Sequence, residues 1–276
     1  MTAPPETPNR QRPKPARRRT RLSSVANAMR LLRAFSDDEF EIGVSDLAKR
    51  LGLAKSTVHR LASTLIQERI LERSARDGKY RLGLVLFELG SLVRRKMDVS
   101  AEARPQLKAL MESTGETVHL GVLDEYSVLY VNRIESRRAI RMGFGLGIRA
   151  PLHCTALGKA LLAYQPAEFI EETIAKGLPR RTAGTITGPH AFRLELAAIR
   201  ARGYAVEDEE IEAGLRSIAT VVRNDTGSVI AAIGIAGPAH RLTKKVLLSY
   251  ARELMAATDA VSQRLGYQPA PAQKRA

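Results

Sequence analysis

The 276-residue sequence predicts an α+β fold in two parts: an N-terminal winged helix-turn-helix and a larger mixed domain of strands and helices. Three observations carry this expectation. Residues 44–66 place Leu47, Ala48, Leu51, Leu53, Val58 and Leu61 where two short helices must pack, with Gly52 at the turn between them. Two strand-like runs, Ile70–Arg73 and Lys79–Leu82, flank Asp77-Gly78, a hairpin signal. After about Asp98 the character changes, and short strand-like and helical runs alternate to about Leu265.

In chain order, residues 1–21 are rich in Pro, Arg and Thr and are expected to be disordered, as are residues 268–276. The N-terminal tail either adds non-specific phosphate contacts or is a solvated segment with no specific role. Ser23 and Ser24 can cap a first helix running to about Ser36, with Val25, Ala28, Leu31, Leu32 and Phe35 on its apolar face. Ser45 is placed to cap the second helix, with Asp46 in the first turn and Gly52 as a left-handed stop. The third helix is expected from about Lys55 to Glu68, followed by the hairpin. Residues 84–98 read as a linker helix whose apolar face includes Leu84, Val85, Leu86, Leu89, Leu92 and Val93; the alternative is an ordinary core helix.

The domain boundaries are therefore set at 22–83, 84–98 and 99–267. Within the last, a helix over Ala101–Ser113 is expected to be broken early by Pro105. Strands are expected at Glu116–Asp124, Ser127–Glu135, Arg138–Phe144, Tyr204–Val206, Arg216–Arg223 and Val229–Gly234. Helices are expected at Thr155–Ala163, Pro166–Lys176, Ala191–Arg202 and Thr243–Leu265.

Composition narrows the function. The formal net charge is +15, which favours a polyanionic partner. Six of those charges sit in residues 1–21, where seven basic residues face one acid, so the folded part is only moderately basic. One cysteine, Cys154, allows no intrachain disulfide and no multi-cysteine zinc site, and fits a reducing cytoplasm. No apolar run is long enough for a membrane span, and no apolar stretch follows the basic N-terminus as a secretory signal requires. Trp is absent and aromatics are 5%, against base stacking on an aromatic platform.

The third helix carries the chemistry. Its free face presents Ala54, Lys55, Ser56, His59, Arg60 and Ser63, with Thr57 beside them. Arg pairs with guanine in a two-pronged contact, Lys and Ser bond phosphates, and His or Ser reaches base edges. Arg76 and Lys79 at the wing tip are placed to meet backbone or minor groove. The expected partner is double-stranded DNA; an alternative is a helical hairpin inside an unrelated all-α protein.

Other motifs fall short. The glycines of Gly143–Gly147 lack an immediately following helix, and Leu157-Gly-Lys-Ala160 lacks the first glycine and the Ser or Thr of a phosphate loop. His153-Cys154 lacks an orienting third group and reads as a buried structural pair. Glu207-Asp-Glu-Glu210 with Glu212 is an acid cluster that either binds a cation or, as favoured, is a solvated loop. No metal and no cofactor are expected.

Several motifs in order then resemble the IclR family of bacterial transcriptional regulators over about residues 22–267. They are the Gly52–Leu61 segment, Lys79–Gly83, Arg149–Ala160, Gly203–Glu210, Gly214–Ala219 and Ala231–Pro238. The resemblance implies a C-terminal effector-binding domain of GAF-like topology, a homodimer or homotetramer, and a small-molecule effector, an organic acid or aromatic metabolite. It places the effector pocket at Ala156, Leu157, Glu207, Leu215, Ser217, Gly234 and Ala236. This chain departs from the family's pattern there: Ser217 stands where many members have Cys, Glu207 where Asp is usual, and Val221 for a common Pro. Gly234 and Ala236 replace two serines of the acid-sensing members. Loss of two hydroxyls implies a bigger, less polar pocket and a bulkier or more apolar effector than a two-carbon acid.

The sequence thus points to a ligand-responsive DNA-binding regulator of metabolic genes. An enzyme with a DNA-binding head would need a nucleophile or metal set in residues 100–267, and none is convincing. A basic architectural protein would depend on the tail.

Overall fold

The computed structural model describes residues 24–36, 38–95, 98–138 and 144–268. The expectations for both tails, for Ser23 as a cap and for most of a strand over Arg138–Phe144 lie outside the described residues. The chain divides into two compact units, Met1–Val93 and Arg94–Ala276.

In the first unit, α1 (Ser24–Leu32), α2 (Val44–Leu51) and α3 (Lys55–Gln67) pack around Leu31, Leu47, Leu51, Val58 and Leu61. The α1 helix stops short of the expected Ser36, tightening into a turn where Ala34 N donates to Leu31 O at 3.1 Å. Ser45 does not cap α2. The helix begins one residue earlier, with extended Gly43 at the cap position and no side-chain cap bond. Asp46 in the first turn and Lys49 and Arg50 in the last complement the helix dipole, and Gly52 closes α2 at φ 65°. Strands β1 (Leu71–Arg73) and β2 (Tyr80–Leu82) pair antiparallel, Leu71 opposite Leu82. A third segment joins them: Ile42 and Tyr80 exchange backbone hydrogen bonds, both 2.9 Å, tying the wing to the loop before α2. Helix α4 (Val85–Arg95) crosses the division between the units.

The second unit is built on one antiparallel sheet. Its strands are β3 (Thr117–Asp124), β4 (Ser127–Ile134), β5 (Arg149–Pro151), β6 (Ala205–Asp208), β7 (Leu215–Arg223) and β8 (Val229–Pro238), in the order β5-β4-β3-β8-β7-β6. Strand β5 has no counterpart among the expected strands: three residues ending in proline carry too short an alternation to read. One face is covered by α5 (Asp98–Thr114) and α10 (Ala251–Arg264) over Val118, Leu120, Ile218, Ile233 and Ile235. The other face lies under α6 (Ala156–Leu162), with α7 (Ala167–Ala175) and α8 (Pro189–Arg202) outside it. The short α9 (Lys244–Ser249) precedes α10, and Tyr250 divides what the pattern predicts as one helix.

Pro105 does not break α5. The missing N–H costs one intrahelical bond, but Pro105 is exposed while Ala103, Leu107 and Leu110 are buried on the face toward α10, and that packing holds the helix through it.

A bulge at Val131 of β4 positions the site. The β3–β4 register shifts between Leu120 and Gly121, so Tyr130 comes opposite Gly121 and shares its face with His119. A Cβ on Gly121 would stand 2.6 Å from Val128 Cγ1, so only glycine fits this crossing.

Candidate functional site

On α3, Val58, Leu61 and Ala62 are buried, which turns the rest of the helix outward. Lys55, Ser56, His59 and Arg60 are exposed, and Thr57 and Ser63 are half-buried beside them. Ser63 Oγ lies 3.4 Å from His59 Nδ1, holding the imidazole along the helix. The Lys55 and Arg60 side chains make no hydrogen bond or ion pair among the described residues. On the wing, Arg76 is exposed and Lys79 pairs with Asp77 at 3.3 Å. Hydrogen bonds from Ser74 and from the Lys79 backbone hold the Asp77 carboxyl below its usual range. One wing charge is therefore half-neutralised, and Arg76 is the freer of the two.

In the second unit, six of the seven residues expected around an effector line one cavity: Ala156, Leu157, Leu215, Ser217, Gly234 and Ala236. They come from the start of α6 and from neighbouring positions on β7 and β8, where Ser217 pairs with Ala236 and Ala219 with Gly234. Thr155 caps α6, accepting from Gly158 N at 3.1 Å and donating to Pro151 O at 2.8 Å.

Glu207 is not on the cavity wall. Fully buried on β6, it accepts from Ser217 Oγ at 2.9 Å and from Glu210 N at 2.7 Å, so it holds Ser217 from behind. Burial pushes its carboxyl up to about 7.

The acid cluster is not a solvated loop. Glu207 and Glu210 are buried, and Glu210 pairs with Lys159, itself 1% exposed. Asp208 and Glu209 pair with Arg216 at 2.6 and 3.0 Å. The alternation of β6 turns Glu207 inward and Asp208 outward; past the strand end, Glu209 takes a positive φ of 57° and Glu210 comes back inward onto the buried lysine of α6.

Sequence reasoning missed His119, Tyr130 and Phe144, which line the wall together with Thr155, Ile211 and Ile218. The signal was the alternation of β3: Val118, Leu120 and Val122 share one face, leaving a histidine and a glycine on the other. His119 meets Tyr130 edge-to-face at 5.1 Å, and Phe144 lies 5.3 Å from the Tyr130 ring. Burial first, and then the Arg133 charge, lowers the His119 imidazole to about 3, so it is neutral throughout the physiological range. Burial also raises the Tyr130 phenol, which stays protonated.

The cavity is small and its lining mostly apolar. It contains about 360 Å³ of space between atoms, part of it open to solvent, yet the centre of a water molecule reaches only about 20 Å³. The physical reason is Leu157. Its two methyls stand 3.4 Å from where a Cβ would sit on Gly121 and on Gly234, so the room left by the missing side chain is already filled.

His153 and Cys154 are buried as a structural pair: His153 Nε2 lies 2.9 Å from Pro179 O, and burial pushes the Cys154 thiol up to about 12, away from reactivity. Among the described residues no group of three or more His, Cys, Asp or Glu is set to hold a metal ion, and no helix is long and apolar enough to cross a membrane.

Two family models match the chain. The IclR helix-turn-helix domain covers residues 24–75, and the C-terminal domain of the bacterial transcriptional regulator IclR covers residues 92–263. The regulator KdgR of Escherichia coli is 36% identical over 252 residues, 91% of this chain and 95% of that protein. The glycerol operon regulatory protein of Streptomyces coelicolor is 36% identical over 249 residues, 89% and 97% of the two chains. The crystal structure of Thermotoga maritima IclR matches with a TM-score of 0.74 at 30% identity, covering 88% of this chain and 99% of that one. An IclR homologue from Microbacterium hydrocarbonoxydans, complexed with 4-hydroxybenzoate, matches with a TM-score of 0.79 at 32% identity over 88% and 99%. The relatives are named as transcriptional regulators, not as enzymes. A helix-turn-helix matched in the first unit and a C-terminal domain matched over most of the second make this chain a member of the IclR family of bacterial transcriptional regulators.

Proposed function

We propose that this regulator reads its operator through α3. Lys55, Ser56, Thr57, His59, Arg60 and Ser63 face the major groove, while Arg76 and Lys79 reach the flanking backbone from the wing. The observation that carries this is the pair of unpartnered cations, Lys55 and Arg60, on the one exposed face of a helix whose other face is core. Residues 22–83 form the DNA-binding domain, 84–98 the linker and 99–267 the effector domain.

The cavity under α6 is the effector site, with Ala156, Leu157, Leu215, Ser217, Gly234 and Ala236 on its wall and Glu207 orienting Ser217. Its lining fits a ligand with an apolar body. Binding alters operator affinity only as far as the ligand discriminates between two arrangements of the protein.

The protein acts as a homodimer or a dimer of dimers on a pseudo-palindromic site in the cytoplasm. Support comes from large apolar side chains left in water within the first unit: Val25 and Met29 on α1, and a run of Leu84, just before α4, with Phe87, Leu89 and Leu92 along it, are 47–73% exposed. An apolar row of this kind marks an interface rather than a solvated helix.

Titration of a fluorescent operator tests the DNA-binding reading. Arg60→Ala should weaken binding by about 1–3 kcal/mol and relax preference at one base position, whereas Lys55→Ala should lower affinity evenly and flatten the salt slope. If both variants bind like the wild type, α3 is not the reading helix.

A further inference from the structure

Two buried nitrogens on one face of the large sheet have no hydrogen-bond partner among the described residues, His119 Nδ1 and Arg133 Nε. They are not independent. His119 and Arg133 are directly opposite in the β3–β4 register, which sets their Cβ atoms about 5 Å apart on the same face. That face is the one beneath α6. His119 lines the cavity, flanked by Gly234 of β8 on one side and Arg133 of β4 on the other.

The Arg133 side chain is 15% exposed, and its only ion-pair partner among the described residues is Glu135, 3.5 Å away and itself 61% exposed. Arg133 Nε is shut off from water, and a carboxylate held mostly in solvent is a weak counter-charge for the guanidinium. His119 supplies no charge of its own, because burial and the neighbouring Arg133 keep it neutral; it supplies one N–H donor. Of the three hydroxyls on the wall two are engaged, and only that of Tyr130 has no hydrogen-bond partner among the described residues. The Thr155 hydroxyl caps α6, and the Ser217 hydroxyl is given to Glu207.

We propose that His119 and Arg133 together form the acid-recognition corner of the effector site, receiving the carboxylate of an organic acid whose apolar body lies against Tyr130 and Phe144. One charged and one neutral donor side by side match the two oxygens of a carboxylate. An uncharged sugar would leave Arg133 with the solvent-exposed Glu135 as its counter-charge, and a cationic ligand would be repelled by it. The corner lies on the β3–β4 side of the cavity, across Gly234 from the positions where the acid-sensing pattern carries serines. The proposal rests on the reading of this cavity as the effector site.

Calorimetric titration of the full chain tests it. The probes are benzoate, 4-hydroxybenzoate and phenylacetate, each beside its uncharged carboxamide. At least one acid should bind, with its amide at least tenfold weaker. His119→Phe and Arg133→Met should each weaken that acid at least tenfold while the thermal melt stays cooperative. His119→Asn, which restores an N–H donor, should recover part of the loss. Ala236→Leu, which fills the cavity, is the control for the underlying reading. An acid that is lost in Ala236→Leu but kept in both corner variants overturns the corner and leaves the cavity standing. Binding that survives Ala236→Leu overturns the cavity itself. Equal affinity for acid and amide, or no binding of any of the three acids to the wild type, also overturns the proposal.

Discussion

Glu207 shows how much a single side chain's setting decides. Its carboxyl takes three donors, from Ser217, Glu210 and Ile211, yet burial outweighs them and it protonates near pH 7 instead of near 4.5. The folded chain therefore holds a proton that the unfolded chain has released. Stability contributed by this group is highest below pH 4.5 and falls as pH rises to about 7. Melts of the wild type and Glu207→Gln across pH 4.5–8 should diverge by about 3 kcal/mol in that direction. A constant difference between the two would place Glu207 in a wetter setting. Lys159 is the complementary case. It is fixed in the interior by Glu210, so Lys159→Met strands a buried carboxylate and should cost about 3–5 kcal/mol at neutral pH, read as a lowered Tm. Neither behaviour is legible in the sequence, where both glutamates belong to one acid run. The alternation of β6 buries Glu207, while the turn at Glu209 and a lysine far along the chain bring Glu210 out of water.

The elements are more legible than their ends. The helix-turn-helix and the wing are readable because period-3.6 packing, Gly52 and Asp77-Gly78 are local signals that act within a few residues. The Ile42–Tyr80 bridge and the short β5 strand depend on partners distant in sequence, and nothing local announces them. The site divides in the same way. Ala156, Leu157, Ser217, Gly234 and Ala236 are reached through motifs, whereas His119 and Tyr130 enter through a bulge that no spacing rule foresees. Helix α4 has the clearest consequence at this scale. Its apolar row, including Phe87 and Leu92, is 53–69% exposed at those two residues, so a lone chain leaves it wet. The double variant Phe87→Glu, Leu92→Glu should sediment as a smaller species while keeping its far-ultraviolet circular dichroism, because burying each side chain against a partner is worth about 2 kcal/mol. An unchanged sedimentation coefficient would mean that this row is not the interface.

Over the whole molecule, charge and specificity are separable. Of the net +15, six charges lie in residues 1–21, outside the described residues, and the winged unit adds only a few free cations. Deleting residues 2–21 should therefore flatten the dependence of operator affinity on salt, by about 0.9 in the log–log slope for each DNA phosphate that the tail neutralises, while preference for operator over random DNA is kept. A parallel fall in preference would give the tail a reading role. The effector domain has its own economy of parts. Leu157 plugs two notches at once, one above Gly121 and one above Gly234, and little else occupies the cavity. On the proposal that this cavity takes the effector, the range of compounds that fit it depends on one exchangeable side chain seated over two glycines of the sheet. Leu157→Ala should admit larger compounds without rebuilding the sheet, and a lineage of these regulators could change its inducer by substitutions at that single position.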